Sequence, residues 1–451
     1  MSGTLIMIVQ FLMALSLLIV LHEGGHFFFA RLFKTRVEKF YLFFDFLFPF
    51  SNILPFSLFK KKIGETQWGI GWFPLGGYVK IAGMVDESMD KEQLAKPPEP
   101  WEFRSKKPWQ RLLIMLGGII VNVLLAFVIY AMILFVWGEK RLPLSEMKNG
   151  IMVTDSLGYE IGFKDGDKIV SVDGKTFKYF DEARSELLFA KTVEVNRNGV
   201  SKTIQMPEKW IGKLKDNPVI AVAFPTVISK ITSGTGAEKA GLQPKDVLVK
   251  IDTVNTPTFI AFKEELRRHN KQIVDISFIR NGTMQTAKVQ VSDTGTLGFQ
   301  TTNDMDDFVK LNLFKVDTRK YGFFESFPAG VNLGVETIQK YWRQLGLIVH
   351  FKNGAYKQTG GFASMAKIFG TEWDWLHFWS ITAFISIALA IMNLLPIPGL
   401  DGGYVVFTLI EMIIGRKVNE KVVEVATTIG LVLLLILMVL VNGNDVLKMF
   451  K

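Results

Sequence analysis

Three ionisable side chains, His22, Glu23 and His26, stand in the spacing H-E-x-x-H inside an otherwise apolar stretch. Residues four apart lie on one face of a helix, so both imidazole rings can face a single metal ion. In this motif two neutral imidazoles bind Zn²⁺, and the glutamate handles the proton of a water molecule instead of ligating. The spacing predicts a zinc site that activates water.

The alternative is a surface helix that happens to carry two histidines and a glutamate. The flanking sequence argues against it, because the eighteen residues Thr4 to Leu21 contain no charge and Phe27 to Ala30 continue the apolar run. Such a segment is long enough to cross a bilayer. Ionisable groups are costly inside a membrane span and are normally kept there for a site or a polar pathway.

Composition agrees with a membrane protein. Hydrophobic residues make up 49% of the 451 residues, and the mean hydropathy is +0.25. The chain has no cysteine, so zinc ligands must come from His, Asp or Glu. The net charge is +9, but in a membrane protein the location of Lys and Arg is more informative than their sum, and we predict no nucleic-acid partner. The N-terminus lacks the basic region of a cleavable signal peptide, so we expect the first span to be retained.

Four spans are predicted, with the second at about Leu112 to Val136, the third at about Trp375 to Leu395 and the fourth at about Val422 to Val441. Basic residues follow the first span and precede the second, so the positive-inside rule places this loop in the cytoplasm and both termini outside. Within the second span, we expect Gly117 and Gly118 to allow close helix packing and Asn122 to bond to a neighbouring helix.

Two regions between the spans have a distinct character. Residues 40–59 are too interrupted for a span, and we expect them to lie in or dip into the membrane interface. Strands or a hairpin are expected around Trp68 to Ile81, with Gly76 and Gly77 allowing a bend. A strand near a site can add an extended peptide to its edge, and a plain structural hairpin is the equally weighted alternative. Asp86 to Pro100 is expected to be a solvated linker.

The third span ends in a run with two prolines and three glycines, Asn393 to Tyr404, which must break the helix. Non-helical backbone at membrane depth is tolerated only where it is buried in protein or lines a cavity. The break therefore predicts a site, with Asp401 as its ionisable group. The predicted topology places His22, His26 and Asp401 on the same, cytoplasmic side.

A repeat lies between the second and third spans. The segment from Ile161 is similar to the segment from Ala240, with Gly162 and Gly241, and Asp167 and Asp246, each 79 positions apart. Both resemble the signature of the PDZ domain, so we expect tandem PDZ-like modules. The second is the better candidate for binding a peptide. We expect the stretch from Phe327 to Val349 to lie along the outer membrane surface.

Taken together, these motifs are similar to those of the site-2 protease family of intramembrane zinc metalloproteases, in its bacterial RseP-type group. The resemblance rests on His22-Glu-Gly-Gly-His26, Pro74-Leu-Gly-Gly-Tyr-Val-Lys80, the tandem insert and Asn393-Leu-Leu-Pro-Ile-Pro-Gly-Leu-Asp401-Gly-Gly. It implies that Zn²⁺ is the cofactor, that Asp401 is the third metal ligand and that Glu23 is the catalytic base. One departure is Gly24, where the family more often has a larger apolar residue.

The resemblance also implies a substrate-binding set. Asn393 would hold the substrate backbone, and the strand containing Gly76 and Gly77 would clamp an unwound substrate segment. The full predicted set is Gly76, Gly77, Tyr78, Val79, Asn393, Pro396 and Pro398.

The expected fold is a polytopic α-helical membrane protein with about four transmembrane helices, a membrane-associated β-hairpin or sheet and two inserted PDZ-like α+β domains. The expected divisions are 1–34 for the first helix, 35–107 for the strand-bearing loop, 108–138 for the second helix, 139–218 and 219–305 for the PDZ-like domains, 306–373 for an extracytoplasmic amphipathic segment, 374–415 for the third helix with its motif, and 416–451 for the fourth helix.

The function expected from the resemblance is cleavage within transmembrane segments of single-span proteins after their ectodomains have been trimmed, with an anti-sigma factor or signal-peptide remnants as substrates. The expected location is the bacterial inner membrane, with the PDZ-like modules outside and the site toward the cytoplasm. Lipid and a peptide at the PDZ grooves are the other expected partners. The alternatives are a catalytically silent membrane scaffold that binds through its PDZ domains, and a zinc-dependent transporter or sensor.

Overall fold

The computed structural model describes residues 2–46, 54–74, 76–84, 97–214 and 218–449. The chain forms two compact units. The first contains Met1–Gly138, Lys320–Gly346 and Thr359–Lys451, and the second contains Glu139–Arg319 and Leu347–Gln358. Residues 85–96, most of the predicted linker, lie outside the described residues, as do residues 47–53 of the predicted interfacial segment.

The first unit is mainly helical. Its helices are α1 (Gly3–Leu32), α2 (Pro108–Val136), α8 (Phe323–Val349, whose last residues belong to the second unit), α9 (Phe362–Ile368), α10 (Trp375–Leu394), α11 (Asp401–Ile414) and α12 (Glu420–Met449). Among the described residues, four segments are long and apolar enough to cross a membrane, namely Gly3–Leu32, Pro108–Val136, Trp375–Leu394 and Lys421–Val446. They correspond to the four predicted spans. The short helix α11 was not predicted as a separate element.

Helix α2 occupies the centre of this unit and packs against α1, α10 and α11. Glycines permit the close approach of α1: a Cβ on Gly25 would lie 2.2 Å from the Gly117 carbonyl oxygen, and a Cβ on Gly117 would lie 2.5 Å from that of Gly25. A side chain at either position would push the helices apart. The predicted packing role of Gly117 is thus confirmed.

Helix α8 also packs along α2 through small residues. A Cβ on Gly330 would lie 2.5 Å from the Ala131 backbone nitrogen, and one on Gly334 would lie 2.3 Å from the Phe127 ring. Phe324, near the start of the helix, is exposed. The predicted amphipathic stretch is therefore a helix held against a core helix, and its place at the outer membrane surface stays a prediction.

The first unit also contains a four-stranded sheet made of β1 (Val37–Leu42), β2 (Ser57–Ile63), β3 (Thr66–Gly71) and β4 (Tyr78–Ile81). The strand order is β2-β3-β1-β4. Strand β1 is parallel to β3 and antiparallel to β4. The prediction of strands between Trp68 and Ile81 is confirmed, but β3 and β4 do not form a hairpin with each other because β1 lies between them. The predicted interfacial segment, residues 40–59, contains the end of β1 and the start of β2, and neither strand is predicted from the sequence.

The second unit contains short strands and helices. Its strands are β5 (Glu139–Arg141), β6 (Ile151–Val153), β7 (Lys168–Val172), β8 (Thr192–Arg197), β9 (Val200–Gln205), β10 (Ile220–Val222), β11 (Thr226–Ile231), β12 (Val247–Ile251), β13 (Val254–Asn255), β14 (Ile273–Arg280), β15 (Thr283–Gln290), β16 (Phe299–Thr301) and β17 (Asp317–Arg319). Its helices are α3 (Ser156–Ile161), α4 (Phe180–Glu186), α5 (Gly236–Lys239), α6 (Phe259–Leu266) and α7 (Met305–Lys310). Helices α4 and α6 follow the two repeat signatures in the chain.

The sequence repeat corresponds to a repeated set of contacts. In the first module the Arg197 guanidinium donates to both carboxylate oxygens of Asp167, at 2.7 and 2.8 Å, and to the Gly162 carbonyl. In the second, Arg280 donates in the same way to Asp246, at 2.7 and 2.6 Å, and to Gly241. Both aspartates are buried. The matched glycines and aspartates thus perform the same structural task twice, and the assignment of the modules to the PDZ fold stays a prediction.

Candidate active site

Helix α1 presents His22 and His26 on one face, as their spacing predicts, and α2 is shaped to receive them. A Cβ on Gly118 would lie 2.5 Å from His22 Cε1 and 2.6 Å from His26 Nε2. The two imidazole rings are 4.9 Å apart at an interplanar angle of 84°. Gly118 therefore provides the space in which both rings turn toward the same point.

Asp401 reaches this point because the chain breaks after α10. The run contains Pro396 and Pro398, which lack a backbone N–H, and Gly399 adopts a left-handed φ of +98°. Helix α11 then begins at Asp401. Gly402 is obligatory here, since a Cβ would lie 2.2 Å from the Leu395 carbonyl oxygen. The tight turn places the Asp401 carboxylate at the start of a helix, where negative charge is favoured.

The two histidine Nε2 atoms and one oxygen of the Asp401 carboxylate lie close together. Asp401 Oδ2 lies 3.3 Å from His22 Nε2 and 3.2 Å from His26 Nε2, and the two Nε2 atoms are 3.3 Å apart. The possible ligand atoms of His22, His26 and Asp401 all lie within 4.8 Å of one another. The three predicted ligands thus come together although the third is remote in sequence.

The hydrogen bonds at the Nδ1 atoms of the two histidines leave their Nε2 atoms unprotonated, as metal binding requires. His26 Nδ1 lies 2.8 Å from the Ile114 carbonyl oxygen, which can only accept, so Nδ1 carries the proton. His22 Nδ1 lies 3.2 Å from the side-chain amide of Asn122. Asn122 is fully buried, and its Oδ1 has no hydrogen-bond partner. With the amide nitrogen and oxygen exchanged, Oδ1 accepts from His22 Nδ1–H, which leaves Nε2 unprotonated.

These residues fit a metal ion by their chemistry. The buried Oδ2 of Asp401 has no hydrogen-bond donor, a situation that normally costs free energy. Two imidazole nitrogens and one carboxylate oxygen are a common ligand set for catalytic zinc, with a fourth position left for water. A cation at the convergence point would compensate the buried carboxylate.

The site opens into a cavity of about 470 Å³. Glu23, Asn393 and Asp401 are among its polar lining groups, while apolar side chains come from opposite walls, including Leu15 of α1 and Leu389 of α10. A space of this size and polarity suits an apolar ligand held by a few polar groups.

The sheet contributes one wall of this cavity through β4 and the turn before it, with Gly76, Gly77, Tyr78 and Val79 in the lining. Strand β4 is at the end of the sheet and pairs only with β1 within the described residues. The two glycines have no room for a side chain, since a Cβ would lie 2.5 Å from Phe44 at Gly76 and 2.5 Å from Ile19 at Gly77. Each of the four predicted strand residues thus borders the cavity.

The other predicted substrate residues fall into two groups. The Asn393 amide lies 3.2 Å from His22 Nε2. Pro396 and Pro398 are outside the cavity lining. Pro398 instead packs against α12, where a Cβ on Gly430 would overlap its carbonyl oxygen. The prolines shape the turn before Asp401.

Two contributors to the site were not recognised in the sequence. Gly118 is expected only to allow helix packing, yet it seats both histidine rings. The expected bond of Asn122 to a neighbouring helix is confirmed, and its partner is His22 of the metal site. The available signal was their spacing of four residues, which places them on one face of α2.

A buried His-His-Asp cluster held among helices of membrane-spanning length, with a glutamate in the same cavity, defines a class of metal-dependent hydrolases that act within the membrane. The model of peptidase family M50 matches residues 10–437 of this chain, and the chain belongs to that family. Its relatives include protease RseP of Yersinia pestis, 28% identical over 96% of this chain and 97% of the relative, and the regulator of sigma E protease of Salmonella typhi, 27% identical over 96% and 97%. The protein is therefore a site-2 type zinc metalloprotease.

Proposed function

We propose that this protease hydrolyses a peptide bond within the membrane-spanning segment of single-pass proteins, with His22, His26 and Asp401 as zinc ligands and Glu23 as the general base. The observation that carries the proposal is the convergence of both Nε2 atoms on the unpartnered Asp401 Oδ2 beside a largely apolar cavity. Bound zinc would supply a Lewis acid that lowers the pKa of a water molecule to about 7.

The roles of the other side chains follow from their places. Glu23 lines the same cavity and lies beside the Val79 main chain, so its carboxylate is positioned to take a proton from water and pass it to the leaving amine. The amide of Asn393 lies 3.2 Å from His22 Nε2. From there it would hold the carbonyl of the peptide bond under attack.

The substrate must lose its helical hydrogen bonds before its carbonyl is open to attack. The free edge of β4 offers replacement partners, because an extended segment that adds to a strand regains main-chain hydrogen bonds. Gly76 and Gly77 line the wall that this segment would approach. Helix-breaking residues in the substrate should therefore favour cleavage.

For the biological setting, we propose the bacterial inner membrane, with both termini and the second unit outside and the site toward the cytoplasm. The name of one relative refers to regulation of sigma E, which supports an anti-sigma factor as substrate, and trimmed signal peptides are of the same chemical kind. The predicted PDZ grooves would bind an extended peptide or act only as a size filter.

The test is cleavage of a single-span reporter by the purified full-length protein together with its zinc content. Glu23→Gln should retain zinc and abolish cleavage, and Asp401→Ala should lose zinc. Glu336→Gln and Asp293→Ala, both at exposed positions, serve as matched controls that keep both properties. Full cleavage by Glu23→Gln would remove Glu23 as the base. A wild-type protein that binds no zinc and cleaves nothing would favour the silent scaffold.

A further inference from the structure

Strand β2 forms the outer edge of the four-stranded sheet and is almost entirely exposed. Its sequence changes character along its length. Leu58 and Phe59, in its first half, are 67% and 56% exposed. The next three residues, Lys60 to Lys62, are exposed lysines. The strand thus passes from exposed apolar groups to three exposed positive charges, and its last residue, Ile63, is again an exposed apolar group.

The sheet register relates this change to α1. Lys61 pairs with Trp68, and Trp68 pairs with Phe40. The rings of Trp68 and Phe40 lie 5.2 and 5.8 Å from that of Phe27 on α1. Phe27 precedes Arg31 by about one helical turn, or about 6 Å. The lysines therefore lie close to the level at which the apolar run of α1 ends.

Contacts at the two ends of the sheet show which end of β2 lies toward the end of α1. Beyond the lysines, the turn after β2 carries Glu65, which forms an ion pair of 3.2 Å with Arg31 at the end of α1. At the other end, Gly77 packs against Ile19 in the apolar middle of α1. The apolar half of β2 therefore lies on the side of the membrane interior, and the lysines lie on the side of water.

Within the part of the chain that the structure describes, the lysines also have no ionic partner. Across the described ranges, none of Lys60, Lys61 and Lys62 lies within ion-pair distance of a carboxylate. A lysine side chain can extend its charge by several ångströms toward the polar region while its stem remains on apolar surface. Three adjacent free cations at this level complement the phosphate groups of anionic lipids.

We propose that β2 anchors the sheet at the bilayer surface, with Leu58 and Phe59 among acyl chains and Lys60 to Lys62 bound to the phosphate groups of anionic phospholipids. The site is separate from the peptidase cluster. Because β4 is the opposite edge of the same sheet and borders the cavity, the lipid contacts would hold that edge in place beside Glu23.

The depth of the strand can be measured with spin labels, since the chain has no cysteine and each introduced one is unique. The full-length protein would be labelled at Leu58→Cys, Lys62→Cys and, as an aqueous reference, Lys202→Cys, and placed in bilayers containing phosphatidylglycerol. The label at 58 should be accessible to oxygen and shielded from a polar nickel reagent, with the label at 62 intermediate. A label at 58 as water-accessible as that at 202 would overturn the anchoring.

Lipid preference tests the lysines themselves. The variant Lys60→Gln/Lys61→Gln/Lys62→Gln would be compared with Lys168→Gln/Lys202→Gln/Lys288→Gln, which removes the same charge at exposed positions elsewhere. Binding of phosphatidylglycerol and phosphatidylcholine to each purified protein would be measured by native mass spectrometry. We expect the preference for phosphatidylglycerol to fall about fivefold for each β2 lysine removed, and the control to match wild type.

An unchanged preference in the β2 variant, with normal zinc content showing that it is folded, would overturn lipid binding. The lysines would then only protect an exposed strand edge from pairing with other chains. An equal loss in both variants would likewise contradict a specific site, because it would reflect net charge alone.

Discussion

Asn122 decides which nitrogen of His22 faces Asp401. Its amide is fully buried and lies 3.2 Å from His22 Nδ1, and its backbone carbonyl accepts from Ser386 Oγ at 2.7 Å. The asparagine is thereby fixed from α10 while it orients a ligand on α1. Groups that bond to the second nitrogen of a metal-bound histidine fix its tautomer and orientation.

Replacing Asn122 with Leu should therefore weaken zinc binding by about 10- to 100-fold, because His22 loses the acceptor for its Nδ1 proton. Asn122→Asp keeps an acceptor oxygen and should retain most of the affinity. Competition with a zinc chelator measures both variants. Wild-type affinity in Asn122→Leu would show that the amide contributes only to packing.

Gly24 and Gly25 are adjacent in the motif but have opposite surroundings. A Cβ on Gly24 would meet nothing within 4 Å, whereas one on Gly25 would collide with the Gly117 carbonyl oxygen. Gly24, the departure from the family pattern, is thus not required by packing. Gly25 is required, because the backbones of α1 and α2 meet there.

Gly24→Ala should stabilise the protein by up to about 1 kcal/mol through helix propensity and preserve activity. Gly25→Ala should separate α1 from α2, lower the thermal unfolding temperature and reduce zinc retention. Thermal unfolding and metal content of the two variants in the same detergent test this contrast. Equal behaviour of the two alanine variants would contradict the close approach of the helices.

At the scale of elements, the ligand Asp401 depends on how α11 is held against α2. Arg111 on α2 forms a buried ion pair with Glu411 on α11, and Glu411 also accepts from the Val418 backbone N–H at 3.0 Å. Because α2 carries Gly118 and Asn122 while α11 begins at Asp401, the pair fixes the two helices that shape the metal site.

Removing one partner leaves an uncompensated buried charge. We expect Glu411→Leu to lower the free energy of unfolding by about 3–5 kcal/mol, and Arg111→Met combined with Glu411→Leu to recover most of that loss. Denaturation of the three proteins in detergent measures this coupling. A double variant as unstable as Glu411→Leu alone would show that the ion pair does not explain the effect.

Sequence patterns predicted those features that depend on neighbours along the chain. The four spans follow from apolar length, and the shared face of His22 and His26 follows from helical spacing. The strand order of the sheet did not follow, because inserting β1 between β3 and β4 is a choice of distant pairing that no local pattern records. Likewise, the sequence marked Asp401 as ionisable, but its convergence with the histidines depends on the packing of α11 against α2, and its role as a ligand came from the family resemblance.

At the scale of the whole molecule, the main segment of the second unit, Glu139–Arg319, is an insertion whose two ends meet. Strand β5 pairs antiparallel with β17, so that Arg141 lies opposite Asp317 and Glu139 lies opposite Arg319. The chain therefore enters and leaves this segment through neighbouring strands. Removing the chain between β5 and β17 would leave two ends close enough to be joined by a short linker.

This arrangement allows a direct test of the proposal that the insertion excludes substrates with bulky ectodomains. Replacing Leu142 to Val316 with a short glycine–serine linker should allow cleavage of a single-span reporter whose ectodomain is intact, which the wild-type protein should reject. Both proteins should cleave a trimmed reporter at similar rates, and this control establishes that the zinc site survives the deletion. If the deleted protein cleaves the trimmed reporter and still rejects the intact one, exclusion must arise from the membrane-spanning unit itself.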